Sequence, residues 1–328
     1  MGEYEPQPQR ESSVVKVTSV SPERETEIHE EFAHFFQEQP PEDFEREKSP
    51  EEAEIFRRLG PEIAEFVGQY GGTPLKIQPE HVHIIDEQKL AAQPQKFRDA
   101  LAHMKGGARF VPELQSIYVY PENNNWGPYG KVRMAETVGH EMLHFNAYYS
   151  AMEKGGELRF RRGGWVMLSE KYGDLFSDID EAVVEELTNR FSRDRLGNIP
   201  ALHAQYEERE ALIQRIFQSR EKFYSDPALV ETKQMPSGEY KTTISSYPYR
   251  KERKRLWEVI RGIREAMPEK FSSDEEVFTE FAHALFTGRV LNVARMVEGA
   301  HGRGAFRALG EATRGKKNAQ AEIPPTLL

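Results

Sequence analysis

The sequence predicts an α+β protein, in which a small mixed sheet and a chemistry-bearing helix are followed by a mostly helical lobe. Two observations carry this. The β-rich runs, His81–Ile85 and Ile117–Tyr120, both lie in the first half of the 328-residue chain. In the second half apolar residues recur at helical spacing almost throughout. With 38% hydrophobic and 11% aromatic residues the chain can bury a sizeable core, which excludes a wholly disordered or collagen-like polymer. A formal net charge of −10 argues against nucleic acid as a partner. The absence of cysteine excludes disulfides, thiolate metal sites and a cysteine nucleophile. No apolar run is long enough to cross a bilayer, and MGEYEPQPQRESS lacks the basic start and apolar stretch of a signal peptide. The expectation is a soluble, cytoplasmic protein with no membrane partner.

Residues 1–48 are rich in Glu, Gln and Pro and read as a mobile acidic tail with one docking helix. That helix runs from Pro22 to Gln37, has Phe32, Phe35 and Phe36 on its apolar side, and is stopped by Pro40-Pro41. Docked in a cleft, it would bring Glu30 or Glu31 toward a metal and be inhibitory; docked on the outer surface, it would not. A catalytic lobe is expected over 49–192. It opens with a helix at Ser49-Pro50, whose acidic first turn complements the helix dipole, and Ile55, Leu59, Ile63 and Phe66 follow up to Gly71-Gly72. Phe97, Leu101 and Met104 mark a further helix, and Asn123-Asn124-Asn125 a turn. A helix over about 132–149 carries the main motif, 157–168 resembles a hairpin between glycine pairs, and another helix spans about 179–190. A helical lobe is expected over 193–312, interrupted by an aperiodic loop from Pro227 to Pro248, with a disordered tail at 313–328.

The chemistry concentrates in His140-Glu141-Met142-Leu143-His144, an HExxH sequence within a helical segment. At 3.6 residues per turn the two histidines point the same way, so two neutral imidazoles can bind one Zn²⁺. Glu141, about 100° round the helix, can then reach a zinc-bound water without ligating the metal. Ten histidines and 54 acidic residues in this length make such a window expected only about 0.05 times by chance. A catalytic zinc takes a third protein ligand and leaves a fourth position open. Residues 145–150, FNAYYS, offer no third histidine. Downstream, Glu181 and Glu185 stand four apart on one helix face. One can ligate zinc while the other accepts the free ring N–H of a histidine ligand. The bland alternative for Glu181 is a capping box with Asp178, and for Glu185 a solvated helix face.

HEMLH followed by DEAVVEE resembles the gluzincin zinc metallopeptidases, the thermolysin-like group, whose second motif has the form Asn-Glu-x-x-Ser-Asp. The resemblance covers roughly residues 117–190 and implies a zincin-like fold. It makes His140, His144 and Glu181 the ligands of one zinc per chain, Glu141 the catalytic base and Glu185 the carboxylate behind a ligand. The chain departs from the pattern at Asp180, Val184 and Glu185. The resemblance also implies a peptide or protein substrate, lying along a strand upstream of the metal helix, for which Ile117–Tyr120 is the corresponding stretch; an ordinary interior strand is the alternative. A donor to the oxyanion is expected among His203, Tyr247, Tyr249, His283 and His301, with Tyr247, just before an amphipathic helix, the one selected. Of these, His283 in the apolar face FAHALF reads as a core histidine, and His81 and His83 read as alternating strand residues. The basic runs Arg159–Arg162 and Arg250–Arg255 are short and read as solvated faces. The rival functions are a non-peptidase zinc hydrolase with the same ligands, and a binding or regulatory module on the same scaffold.

Overall fold

The computed structural model describes residues 12–37, 42–95, 98, 107–120, 129–168, 173–217, 228–234, 240–246 and 249–314. The expected helix around Phe97–Met104, the turn at Asn123–Asn125, the side chain of Phe35, Tyr247 and the tail from 315 onward lie outside the described residues. The fold is α+β. Among the described residues, ten α-helices accompany a four-stranded mixed sheet, a three-stranded mixed sheet and an antiparallel pair of strands.

The N-terminal segment enters the four-stranded sheet. Strand β1 (Val14–Thr18) pairs parallel with β5 (Tyr149–Lys154), which pairs antiparallel with β6 (Glu157–Gly163), and β6 with the short β7 (Val166–Met167). Helix α1 (Pro22–Gln37) has the expected bounds and buries Ile28 and Phe32 against Val14 and Val17 of β1. Its apolar face is therefore taken up by the sheet and, at Phe36, by the main core beside His81 and Phe145. Glu30 is exposed, and Glu31 is an exposed partner of Arg24, so neither approaches a metal site.

Helix α2 (Pro50–Gln69) begins at a capping box in which Ser49 and Glu52 satisfy each other's end groups. Behind it lies the three-stranded sheet, β2 (Val82–Ile84), β4 (Ser116–Tyr120) and β3 (Gly107–Val111), in the order β2-β4-β3; the single-turn α3 (Glu87–Ala91) follows β2. Strand β4 alternates, with Ile117 and Val119 facing the main core and Tyr118 and Tyr120 a smaller cluster with Phe44, Ile85 and Val111. The sequence expectation that Ile117–Tyr120 forms a substrate edge is corrected here. β4 is paired on both sides and buried on both faces, so β2 and β3 are the outer strands; the Arg46 N–H donates to Ile84 of β2, which leaves β3 as the edge without a further strand partner among the described residues.

The main core fills the space between α2, α4 (Gly130–Asn146), α5 (Ser177–Asp194) and the later helices. Helix α6 (His203–Phe217) follows. The aperiodic stretch expected as a loop instead carries β8 (Ala228–Gln234) and β9 (Tyr240–Ser246), paired antiparallel. Helices α7 (Arg250–Ala266) and α8 (Asp274–Thr287) then pack on α5, α9 (Val290–His301) packs on α7 and α8, and α10 (Ala305–Ala312) on α9. Among the described residues no helix is long and apolar enough to cross a membrane.

Candidate metal centre

The site stands where α4 crosses α5. Helix α4 buries Val132, Ala135, Val138, Met142 and Leu143 in the core, which turns His140, Glu141 and His144 to the other face. Its position is pinned at both ends. One turn before His140, Glu136 accepts from Arg209 of α6 at 2.6 Å and from the Ser192 hydroxyl of α5. At the C-terminal end, Asn146 accepts the Leu75 N–H at 2.9 Å and donates to Met142.

His140 Nε2 and His144 Nε2 are 3.1 Å apart, and Glu181 Oε2 lies 3.5 Å from the first and 3.7 Å from the second. The three atoms form a nearly equilateral triangle. Among the described residues this is the one group of three or more side chains placed to hold a metal ion.

The far nitrogens fix the ring tautomers. His140 Nδ1 lies 3.1 Å from Glu185 Oε2 and 3.2 Å from Thr188 Oγ1. Thr188 donates its own proton to the Val184 carbonyl, so both neighbours of Nδ1 are acceptors and Nδ1 carries a hydrogen. His144 Nδ1 likewise faces Asp180 Oδ2 at 3.3 Å. In its neutral form each ring therefore presents an Nε2 lone pair to the triangle's centre. Glu181 Oε2 is buried without a hydrogen-bond partner in the same place. Three converging lone pairs repel one another unless a cation sits among them, and so the residues fit a metal ion.

The electrostatics agree. Burial opposes charge on both imidazoles, but the neighbouring carboxylates of Glu181 and Glu185 push His140 up to about 10, and those of Asp180 and Glu181 push His144 well up. Burial likewise opposes charge on Glu181, and the two histidines outweigh it and hold its carboxyl far below the usual range. An anionic field of this strength retains protons when metal is absent and retains a cation when it is present.

Asp180, which the sequence reading used only as a motif departure, proves to be the partner of the second histidine. Its other oxygen accepts the Trp165 N–H at 2.7 Å. That approach requires Gly164, because a Cβ there would stand 2.3 Å from Asp180 Oδ1, and its φ of +56° is one a side chain disfavours. The capping-box reading of Glu181 does not hold. Helix α5 starts at Ser177 after Phe176, so Asp178 is already inside the first turn.

Glu141 points beside the triangle and accepts the Phe110 N–H of β3 at 2.7 Å. Burial raises its carboxyl above the usual range, and the two histidines and that amide only partly offset the rise. Tyr249, at the cap of α7, lies with its ring parallel to His140, 8° between planes and 6.3 Å between centroids. Its hydroxyl meets the Glu181 carboxylate, and burial together with that carboxylate raises its pKa. The tyrosine that the structure brings to the site is thus Tyr249. The selected Tyr247 lies outside the described residues.

The remaining candidates are occupied elsewhere. His81 Nε2 bonds the Phe36 carbonyl at 2.8 Å, His83 Nδ1 bonds Glu45 at 2.9 Å, and His283 Nδ1 bonds the Tyr70 carbonyl at 3.0 Å. His203 bonds the Gly197 carbonyl, and His301 packs on Gly262. Of the basic runs, Arg162 is spent on the carbonyls of Gly164, Ala284 and Gly288, and Arg253 on Glu186. Comparison with protein-family models, with curated proteins and with solved structures gave no match.

Proposed function

We propose that this protein is a zinc-dependent peptidase of gluzincin type. The observation that carries the reading is the meeting of His140 Nε2, His144 Nε2 and Glu181 Oε2 in one triangle, with Glu141 beside it on the same helix face. Zinc is the ion of choice because bonds of about 2.0–2.1 Å to two imidazoles and a carboxylate give tetrahedral edges of about 3.3–3.4 Å, and the three measured edges span 3.1–3.7 Å. When bound, the ion would polarise the scissile carbonyl and acidify a water.

Glu141 is the base. Its elevated pKa and its anchor on the Phe110 amide suit a carboxylate that takes a proton from the attacking water and returns it to the leaving amine. Tyr249 is the donor to the carbonyl oxygen as negative charge develops there. It stands 39% exposed at the site, with its hydroxyl beside Glu181. Strand β3 is the surface for the peptide. Phe110 turns its N–H away from β4 toward Glu141, so by antiparallel alternation Ala108 also turns its backbone outward, along an edge with no strand partner among the described residues.

The test is metal analysis of the purified protein beside its Glu141→Gln variant, with a peptide-library digest of each. Stoichiometric zinc in both, with cleavage by the first alone, is expected. Cleavage by both would remove Glu141 from the mechanism, and absence of zinc from the unaltered protein would remove the reading.

A further inference from the structure

Tyr249 occupies an unusual place for a side chain that must be held accurately. It caps α7 in the left-handed region, φ +58°, where a bulky residue is rarely found, and its own side chain makes no cap hydrogen bond. Such backbone persists only when its surroundings over-determine it. One turn further on, Arg253 donates its backbone N–H to the Tyr249 carbonyl at 2.8 Å and carries a buried guanidinium. That guanidinium reaches α5, where Nη2 donates to Glu186 Oε2 at 2.7 Å. The other oxygen of Glu186 accepts from Arg190 Nε at 3.2 Å. Arg190 is fixed in turn, lying 3.9 Å over the Phe278 ring and paired with Glu275 of α8. Glu186 adjoins Glu185, the carboxylate behind His140. One turn of α5 thus orients the ligand histidine on one side and grips the base of the tyrosine's helix on the other.

We propose that the Glu186–Arg253 ion pair is a positioning device that sets where the Tyr249 ring stands over His140. Neither residue touches the reacting atoms. The pair fixes the first turn of α7 against α5, so that the phenol and the imidazole keep their parallel spacing. The catalytic consequence rests on the role given above to Tyr249; the positional claim does not. The network also supplies a safe probe. In Arg253→Met the charge of Glu186 still has Arg190, so the substitution does not strand a buried anion.

The experiment uses the full chain labelled with ring-fluorinated tyrosine, in which the resonance lost in Tyr249→Phe identifies residue 249. In Arg253→Met, and in the isosteric Glu186→Gln, that resonance is expected to shift or broaden while the other tyrosine signals hold. Against a pool of quenched fluorogenic peptides, kcat should fall about tenfold with KM and zinc content unchanged. Tyr249→Phe should cost about a hundredfold, and adding Arg253→Met to it should cost nothing more. A Tyr249 resonance unmoved in both variants would overturn the proposal, as would fully additive losses of kcat where Tyr249→Phe itself lowers turnover. If the resonance moves but Tyr249→Phe turns over normally, the positional pair stands and the oxyanion role of Tyr249 falls.

Discussion

Two buried histidine–carboxylate clusters stand in this molecule, and they differ in how their acceptors are matched by donors. Around Glu45, both carboxylate oxygens have donors. Oε2 takes His83 at 2.9 Å and the Glu42 amide at 3.3 Å, and Oε1 takes Lys48 at 2.6 Å. His83 also stacks on Tyr118, 5.1 Å between ring centroids. Around Glu181, the Nε2 atoms of His140 and His144 and one carboxylate oxygen converge within 3.1–3.7 Å, and that oxygen has no hydrogen-bond donor. The first cluster is complete as it stands, and the second needs a cation. Buried histidine beside buried carboxylate is therefore not the mark of a site; convergence of unfilled acceptors is.

The contrast breaks most visibly on metal content. His140→Ala, His144→Ala or Glu181→Ala should abolish stoichiometric metal by elemental analysis, whereas His83→Gln should retain it; retention in the first group would move the site. Next in size, Glu141→Gln should keep the metal and lower peptide turnover by about 10²–10⁴-fold, read as kcat on the cleaved peptide. The third expectation concerns the complete cluster. Burial alone would raise the Glu45 carboxyl, yet His83 and Lys48 hold it down to about 2 from 4.5. A folded-state pKa below the unfolded one gives stability that is full above about pH 4.5 and is lost as pH falls toward 2. Glu45→Gln should therefore cost about 2–3 kcal/mol at neutral pH and flatten the acid limb of a melting-temperature profile. An unchanged acid limb would show that the pair adds nothing to the fold. The smallest effect sharpens the comparison instead of breaking it. Glu185→Ala removes an acceptor behind His140 and should weaken metal affinity about 10–100-fold by competition with a chelator, leaving the site formed.

What the sequence disclosed was local. Prolines at 22 and 40 bounded α1, and Ser49 with Glu52 announced α2. The four-residue spacings in HExxH and in Glu181–Glu185 put both donor sets on helix faces, because helical periodicity needs no knowledge of neighbours. Strand order is another matter. Ile117–Tyr120 looks like an edge or an interior strand until its partners Val82–Ile84 and Gly107–Val111 are placed. The hairpin of β8 and β9 was missed because its residues, ALVETKQ and YKTTISS, show no sustained apolar alternation. Tyr249 was ranked behind Tyr247 because the choice depends on a left-handed backbone turn at 249, which no composition reveals. Asp180 was legible only as a departure from a motif, since its partner His144 lies on another helix.

The parallel pairing of β1 with β5 bears on how the chain acquires its fold. Thr18 of β1 donates to the Ala151 carbonyl, 133 positions later, and Ser13 donates its backbone N–H to Gln115, 102 positions later. During synthesis β1 must wait until β5 has left the ribosome, with its Val14 and Val17 lacking the sheet that buries them in the finished molecule. Contacts this distant in sequence close slowly, because loop entropy is spent before the pairing rewards it. Strand β1 is thus among the last to be secured, and a nascent chain arrested before Lys154 would hold β1 and the metal-site helix without the strands that pair with β1 and extend its sheet.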